Sequence, residues 1–205
     1  MSSEEITPVS DEILVRRLLA GDEEAGDDLA KRHCSSLLRY LQHLVHSDHL
    51  AEELHQQTWA AVLENLDRFD LASGSGGFKA WLYRIATNKA HDHWRLQGRD
   101  RRVKEGLRLV TEELAPDAGH RMEGAEAEAK LRVAIQLLPR SQREILLLRY
   151  YGKLKFVEIA EMLGCPLNTA LGRMHKAVVR LRQLLAEPVG GGDKSPDAPV
   201  ESRTP

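Results

Sequence analysis

The sequence predicts an all-α protein: two helical domains joined by a flexible linker, the C-terminal one a helix-turn-helix. Apolar residues recur at three- and four-residue steps along most of the 205 residues. No run alternates β-branched with polar residues as a half-buried strand would. Clusters of Gly, Ser and Pro separate the periodic segments into elements.

The first domain is expected over residues 11–104. Asp11 to Ala20 opens with Ser10 or Asp11 as cap and stops at Gly21, a residue free to take positive φ. Glu23 to His46 follows as a longer helix, with Leu29, His33, Leu37, Leu41, Leu44 and Val45 inward. A third helix, capped by Asp48, runs to about Leu66 with Leu50, Leu54, Val62 and Leu66 inward. Asp70 to Gly77 reads DLASGSGG, a loop composition, since glycine gives up the most conformational freedom in a helix. A fourth helix then spans Phe78 to about Gln97.

Residues 105–129 lose apolar content and contain Pro116, Gly119 and Gly124, so they read as an acidic linker, with a helical stretch allowed at its end. The second domain covers residues 130–186. Its core signal is LPRSQREILLLRYYGKLKFVEIAEMLGCPLNTALGRMHKAVVRLRQLL, from Leu138 to Leu185. Phe156, Ile159, Ala160 and Leu163 keep helical spacing, Gly164 stops that helix, Pro166 forbids its continuation, and Asn168 offers a cap for the next. A short apolar helix, a four-residue turn and a longer basic helix form the layout that sets one helix in a DNA major groove. In that last helix Ala170, Met174, Ala177, Val178, Leu181 and Leu185 make the inward stripe. Arg173, Lys176, Arg180 and Gln183 follow on another face. Residues 187–205, rich in Gly and Pro, read as a disordered tail.

Charge supports a nucleic-acid function once it is divided along the chain. The total of −2 hides a net −9 over residues 1–70, +6 over 71–104, −3 over 105–136, +6 over 137–186 and −2 over 187–205. The two basic blocks are candidate phosphate-binding surfaces, and the acidic first third points to a protein partner. The fourth helix interleaves rings with cations: Phe78, Lys79, Trp81, Tyr83, Arg84, Lys89, Trp94 and Arg95. That mixture suits a single strand, whose bases stack on rings while cations follow the backbone. Trp81 shares a helical face with Phe78, Leu82 and Ile85 and is expected in the core. Tyr83 and Trp94 fall off that stripe and are expected to be exposed.

Other classes find little support. No apolar run reaches the ~20 residues a membrane helix needs, and the acidic start MSSEEITPVSDE lacks the parts of a secretory signal. A cytoplasmic protein without membrane insertion is expected, with Cys34 and Cys165 as reduced thiols. Nine histidines raise the possibility of a metal sensor, but none combines with Cys or carboxylates at ligand spacing. No nucleophile triad or phosphate-binding glycine loop appears, so catalytic residues, metal and cofactor are all expected to be none.

The order of parts resembles the extracytoplasmic-function sigma factors of bacterial RNA polymerase, of the sigma-70 family. The resemblance spans Asp11 to Leu185 and is most specific at AEELHQQTW (Ala51 to Trp59), at LDRFD with FKAWLYRIATNKAHDHWR, and at the segment from Leu138 to Arg182. It implies a non-catalytic initiation factor whose partners are RNA polymerase core, promoter DNA and an anti-sigma factor or other regulator. By that resemblance Glu53, Leu54, Gln56, Gln57 and Thr58 face the polymerase, and the loop Leu71 to Gly77 captures a flipped base of the minus-ten element. Lys79, Tyr83, Arg84, Asn88 and Arg95 line the melted strand. Thr169, Leu171, Gly172, Arg173, His175, Lys176 and Arg180 read the minus-thirty-five duplex. The family pattern has a basic residue at Leu171 and Ser at Gly172, which implies an unusual minus-thirty-five sequence or weaker reliance on one. The acidic linker either threads toward the polymerase cleft or is a solvated spacer. The competing reading is a helix-turn-helix regulator that binds an operator without core polymerase, which would leave AEELHQQTW and the ring-bearing helix without a role.

Overall fold

The computed structural model describes residues 9–45, 47–69, 76–105 and 125–186. Among them all regular structure is helical: α1 (Asp11–Leu19), α2 (Glu23–Leu44), α3 (Asp48–Glu64), α4 (Gly77–Glu105), α5 (Ala125–Gln136), α6 (Arg140–Tyr150), α7 (Phe156–Met162) and α8 (Leu167–Ala186), with a 3-10 turn at Leu66–Arg68. The tail, most of the expected linker and most of the loop before α4 lie outside the described residues. α5 starts before the domain edge expected at residue 130, and α4 runs beyond Gln97.

Local chemistry sets the helix ends. Ser10 caps α1 by accepting from the Ile13 N–H, and Ser47, one residue ahead of the expected Asp48, accepts from the Leu50 N–H to cap α3. α1 and α7 end alike. Gly21 and Gly164 take φ of +92° and +59°, and the following Asp22 and Cys165 donate back to the Arg17 and Ala160 carbonyls. That closure satisfies carbonyls a helix would otherwise strand at its C-terminus. Asn168 is not the cap of α8, because the helix already starts at Leu167 and the Pro166 carbonyl accepts from Thr169 and Ala170.

α2 is the central strut. Leu29, Leu37, Tyr40, Leu41 and Leu44 are buried along it, each such aliphatic side chain contributing about 1.5–3 kcal/mol by leaving water. α1 lies on α2 through Leu14 and Val15 and is tied there by Asp11, which meets both Arg32 and, at 2.7 Å, His33 Nε2. Burial works against the Asp11 carboxylate. Hydrogen bonds and charge from His33 and Arg32 more than offset it, leaving the pKa below the usual 3.8. α3 turns Ala51, Leu54, Thr58 and Val62 inward against α4, which buries Phe78, Leu82, Tyr83, Ala86 and Ala90. In the second half α6 and α7 bury Ile145, Leu147, Leu148, Ile159 and Ala160 against α8.

The two halves touch. α2 packs on α5 and α6, α4 meets α7, and a single buried apolar cluster runs from Leu14 to Ala170. Arg143 at the start of α6 donates to the Leu44 carbonyl at the end of α2 and to the Gln136 and Leu138 carbonyls after α5. One guanidinium thus serves the electron-rich C-terminal ends of two helices in different halves of the chain.

Candidate nucleic-acid interface

α8 presents the residues expected to read duplex DNA. Its inward side is set by Ala170 and Ala177, both buried, with Met174, Val178 and Leu181 half-buried beside them; Leu185, expected inward, is exposed. Leu171, Gly172, His175, Lys176 and Arg180 lie on the exposed side, while Thr169 and Arg173 are half-buried. His175, Lys176 and Arg180 line one open groove of about 400 Å³ against the N-terminal end of α6, where Pro139 and Gln142 form the other wall. Pro139 and Gln142 were invisible as partners in the sequence, because periodicity within a helix says nothing of which neighbour lies beside it. Gly172 stands in open space: a Cβ there would meet nothing within 4 Å.

α4 carries the residues expected to hold a melted strand, and here the structure departs from the sequence reading. Tyr83 was expected to be exposed; it is fully buried. Its ring packs edge-on to Tyr40 at 5.1 Å, and burial pushes its phenol up to about 12. Thr87 donates to the Tyr83 carbonyl and so accepts from the Tyr40 hydroxyl, 2.8 Å away. Asn88 and Arg95 are exposed, and Lys79 and Arg84 half-buried. Trp94 is half-buried under the Arg140 guanidinium, 3.9 Å from its ring. Trp81 packs tilted against Phe69 and Phe78, on the apolar stripe as expected. Gly76 and Gly77 both take positive φ, +88° and +64°, and a Cβ on Gly76 would come within 2.5 Å of Ala80 Cβ, so the entry to α4 needs glycine there.

The residues expected to meet a protein partner on α3 divide by face. Glu53, Gln56 and Gln57 are exposed, with Gln57 donating to Glu53 at 2.9 Å. Leu54 and Thr58 are buried, and the Thr58 hydroxyl donates to the Leu54 carbonyl of its own helix at 2.6 Å. Those two belong to the core side of α3. Nearby, the Trp59 indole N–H donates to His55 Nε2, and burial lowers the His55 pKa, which fits a neutral, accepting imidazole.

Among the described residues no group of three or more His, Cys, Asp or Glu is placed to hold a metal ion, and no helix is long and apolar enough to cross a membrane. The His43 ring is stacked on Tyr151 at 5.4 Å, and burial lowers its pKa.

An exposed cationic helix in the second half and a basic, ring-bearing helix in the first match known proteins in the same order. Residues 29–100 match the Sigma-70 region 2 family and residues 128–181 the Sigma-70 region 4 family. The RNA polymerase sigma-H factor of Pseudomonas aeruginosa is 30% identical over 182 residues, which cover 84% of this chain and 92% of that protein. The chain belongs to the extracytoplasmic-function sigma factors of the sigma-70 family. The ECF RNA polymerase sigma factor SigW of Bacillus subtilis is 28% identical over 183 residues, covering 84% of this chain and 95% of that one. Two solved structures share the fold. The sigma factor RpoE, bound to the anti-sigma factor NepR from Bartonella quintana, aligns with a TM-score of 0.63 at 23% identity, over 78% of this chain and 95% of that one. CnrH, bound to the cytosolic domain of CnrY, gives 0.63 at 24% identity, over 85% and 96%. In sigma-factor terms α2–α4 carry region 2 and α5–α8 carry region 4.

Proposed function

We propose that this sigma factor brings core polymerase to its promoters by dividing the work between its two halves. Residues 11–104 dock on the core enzyme and hold the melted minus-ten strand; residues 130–186 read the minus-thirty-five duplex. The observation that carries this is the groove on α8, where His175, Lys176 and Arg180 converge in the region 4 half, on the side of the helix left open to solvent. Cations at that spacing neutralise phosphates, and an exposed Leu171 can touch a thymine methyl. Thr169, Gly172 and Arg173 complete the reading surface.

On α3 the docking surface is Glu53, Gln56 and Gln57, with Leu54 and Thr58 supporting it from inside the helix packing. On α4 the strand-facing set is Lys79, Arg84, Asn88 and Arg95. Tyr83 supports the fold in the described conformation and reaches a base only if its surroundings move. The factor itself supplies no catalytic group. It acts in the cytoplasm with the polymerase, and a regulatory protein of the anti-sigma kind is its expected partner, as two structural neighbours are bound to such proteins.

Run-off transcription with purified core enzyme tests the reading. Transcripts should start at defined sites only when both proteins are present. Specific duplex binding by the isolated chain, undiminished without core and unaccompanied by initiation, would instead make it a helix-turn-helix regulator.

A further inference from the structure

The groove beside α8 is open and cationic in the free chain. Its volume is about 400 Å³; Lys176 and Arg180 stand in its lining beside His175, and none of the lining residues is acidic. All three basic side chains are exposed, and among the described residues none of them pairs with a carboxylate. Val179, 40% exposed, and Pro139 add apolar surface to the same walls. A groove of that composition suits an extended acidic segment carrying small apolar side chains.

The chain's own continuation has that composition and starts nearby. α8 ends at Ala186. Arg180 and Lys176 lie roughly 9 and 15 Å back from that end, at about 1.5 Å per residue. Pro188 cannot continue a helix, and Gly190, Gly191 and Gly192 allow the backbone to reverse. Then comes DKSPDAPVE, Asp193 to Glu201, which sets Asp193, Asp197 and Glu201 against Lys194 and adds Pro196, Pro199 and Val200. Prolines favour an extended backbone before binding, which lowers the ordering that binding requires. Stretched out, residues 187–192 reach about 20 Å. The acidic segment can therefore come level with both cations while attached to their helix.

We propose that in the free chain Asp193 to Glu201 turns back into the groove of α8, where its carboxylates take the place of DNA phosphates at Lys176 and Arg180. The consequence for promoters rests on the duplex-reading role of α8. Exposed ion pairs are weak one by one. Tethering supplies the rest, because a short flexible link presents the segment at millimolar effective concentration. Duplex must displace the segment before its own phosphates reach the cations. The occupied fraction lowers the apparent affinity for any duplex alike. Binding through phosphates alone then falls below working concentrations, while a cognate minus-thirty-five duplex, which adds base contacts, still binds.

Two full-length variants separate seating from bulk charge. Asp193→Asn with Asp197→Asn and Glu201→Gln removes the carboxylates. Pro188→Ala with Gly190→Ala, Gly191→Ala and Gly192→Ala keeps every charge but lets α8 run on, carrying the segment away from the groove. In NMR spectra of the free proteins, both should shift the amides of His175 to Arg180 and of Gln142 relative to wild type. Wild type in about 0.5 M salt should move toward them, since salt screens exposed charges. If about nine-tenths of the wild-type grooves are occupied, holoenzyme made with either variant should bind a cognate promoter about ten-fold tighter. Identical spectra along α8 overturn the proposal. So does tighter binding by the neutralised variant alone, which long-range charge explains without seating. Shifts that grow with protein concentration place the segment of a second copy in the groove and overturn it too. Seating is read without DNA, so a seated segment in a chain whose promoter binding ignores Lys176→Ala with Arg180→Ala would reject the duplex reading of α8 and leave the seating standing.

Discussion

Gly172 occupies an exposed helical position in α8 where no neighbour crowds it and where its φ is ordinary. A glycine there costs the helix up to about 1 kcal/mol relative to alanine, and among the described residues no neighbour stands within 4 Å of where its Cβ would be. On the reading surface proposed for α8, a glycine would let DNA approach more closely than a side chain allows. Gly172→Ser should therefore raise the urea midpoint of the free chain and, with core enzyme, alter which promoter is used; a stabilised chain with unchanged promoter choice would show that the glycine has no part in recognition. The same scale shows where sequence reasoning reached its limit. Leu54 and Thr58 continue the Ala51 to Val62 stripe at helical spacing, so their inward placement was legible from period, yet family resemblance alone had turned them outward. Thr58 uses its hydroxyl on its own helix, which satisfies that polar group on the buried side of α3.

At the scale of elements, α2 and the α7–α8 turn were readable because the physics is local: a long one-sided stripe, a glycine with positive φ and a proline fix them. α4 was misread at Tyr83 because part of what surrounds it is Gly152, in the turn after α6 and beyond the linker, and no pattern inside residues 78–97 reports a neighbour that distant. The groove on α8 gives an element-level expectation. Replacing Lys176 and Arg180 together by Ala should weaken promoter binding by the holoenzyme across sequences and make the dependence of log affinity on log salt shallower by about 2, near 0.9 for each phosphate no longer neutralised. Titration of a labelled promoter at several salt concentrations measures it. A weaker complex with an unchanged slope would assign these cations to some task other than holding phosphates.

For the molecule as a whole, two carboxylates with lowered pKa tie distant parts together, Asp11 between α1 and α2 and Glu144 between the halves. Burial opposes each charge, and the cationic partners prevail: His33 and Arg32 at Asp11, His91 and Arg140 at Glu144. A carboxylate whose pKa is lowered by folding stabilises fully above its unfolded value, 3.8 for Asp11 and 4.5 for Glu144, and that contribution disappears as pH falls through the lower folded values. The thermal midpoint should hold from neutrality to about pH 5 and then drop, the unfolded chain binding the extra protons. Asp11→Asn should flatten part of that drop, and an equally steep fall in the variant would show that the Asp11 pairing carries none of it.

The buried apolar cluster passes from Leu14 through Tyr40 and Tyr83 to Ile145 and Ala170 without a break between the halves. Heating the free factor then cannot loosen one half and spare the other: a single melting event is the natural behaviour of such a core, and two resolved events would show that the halves come apart first.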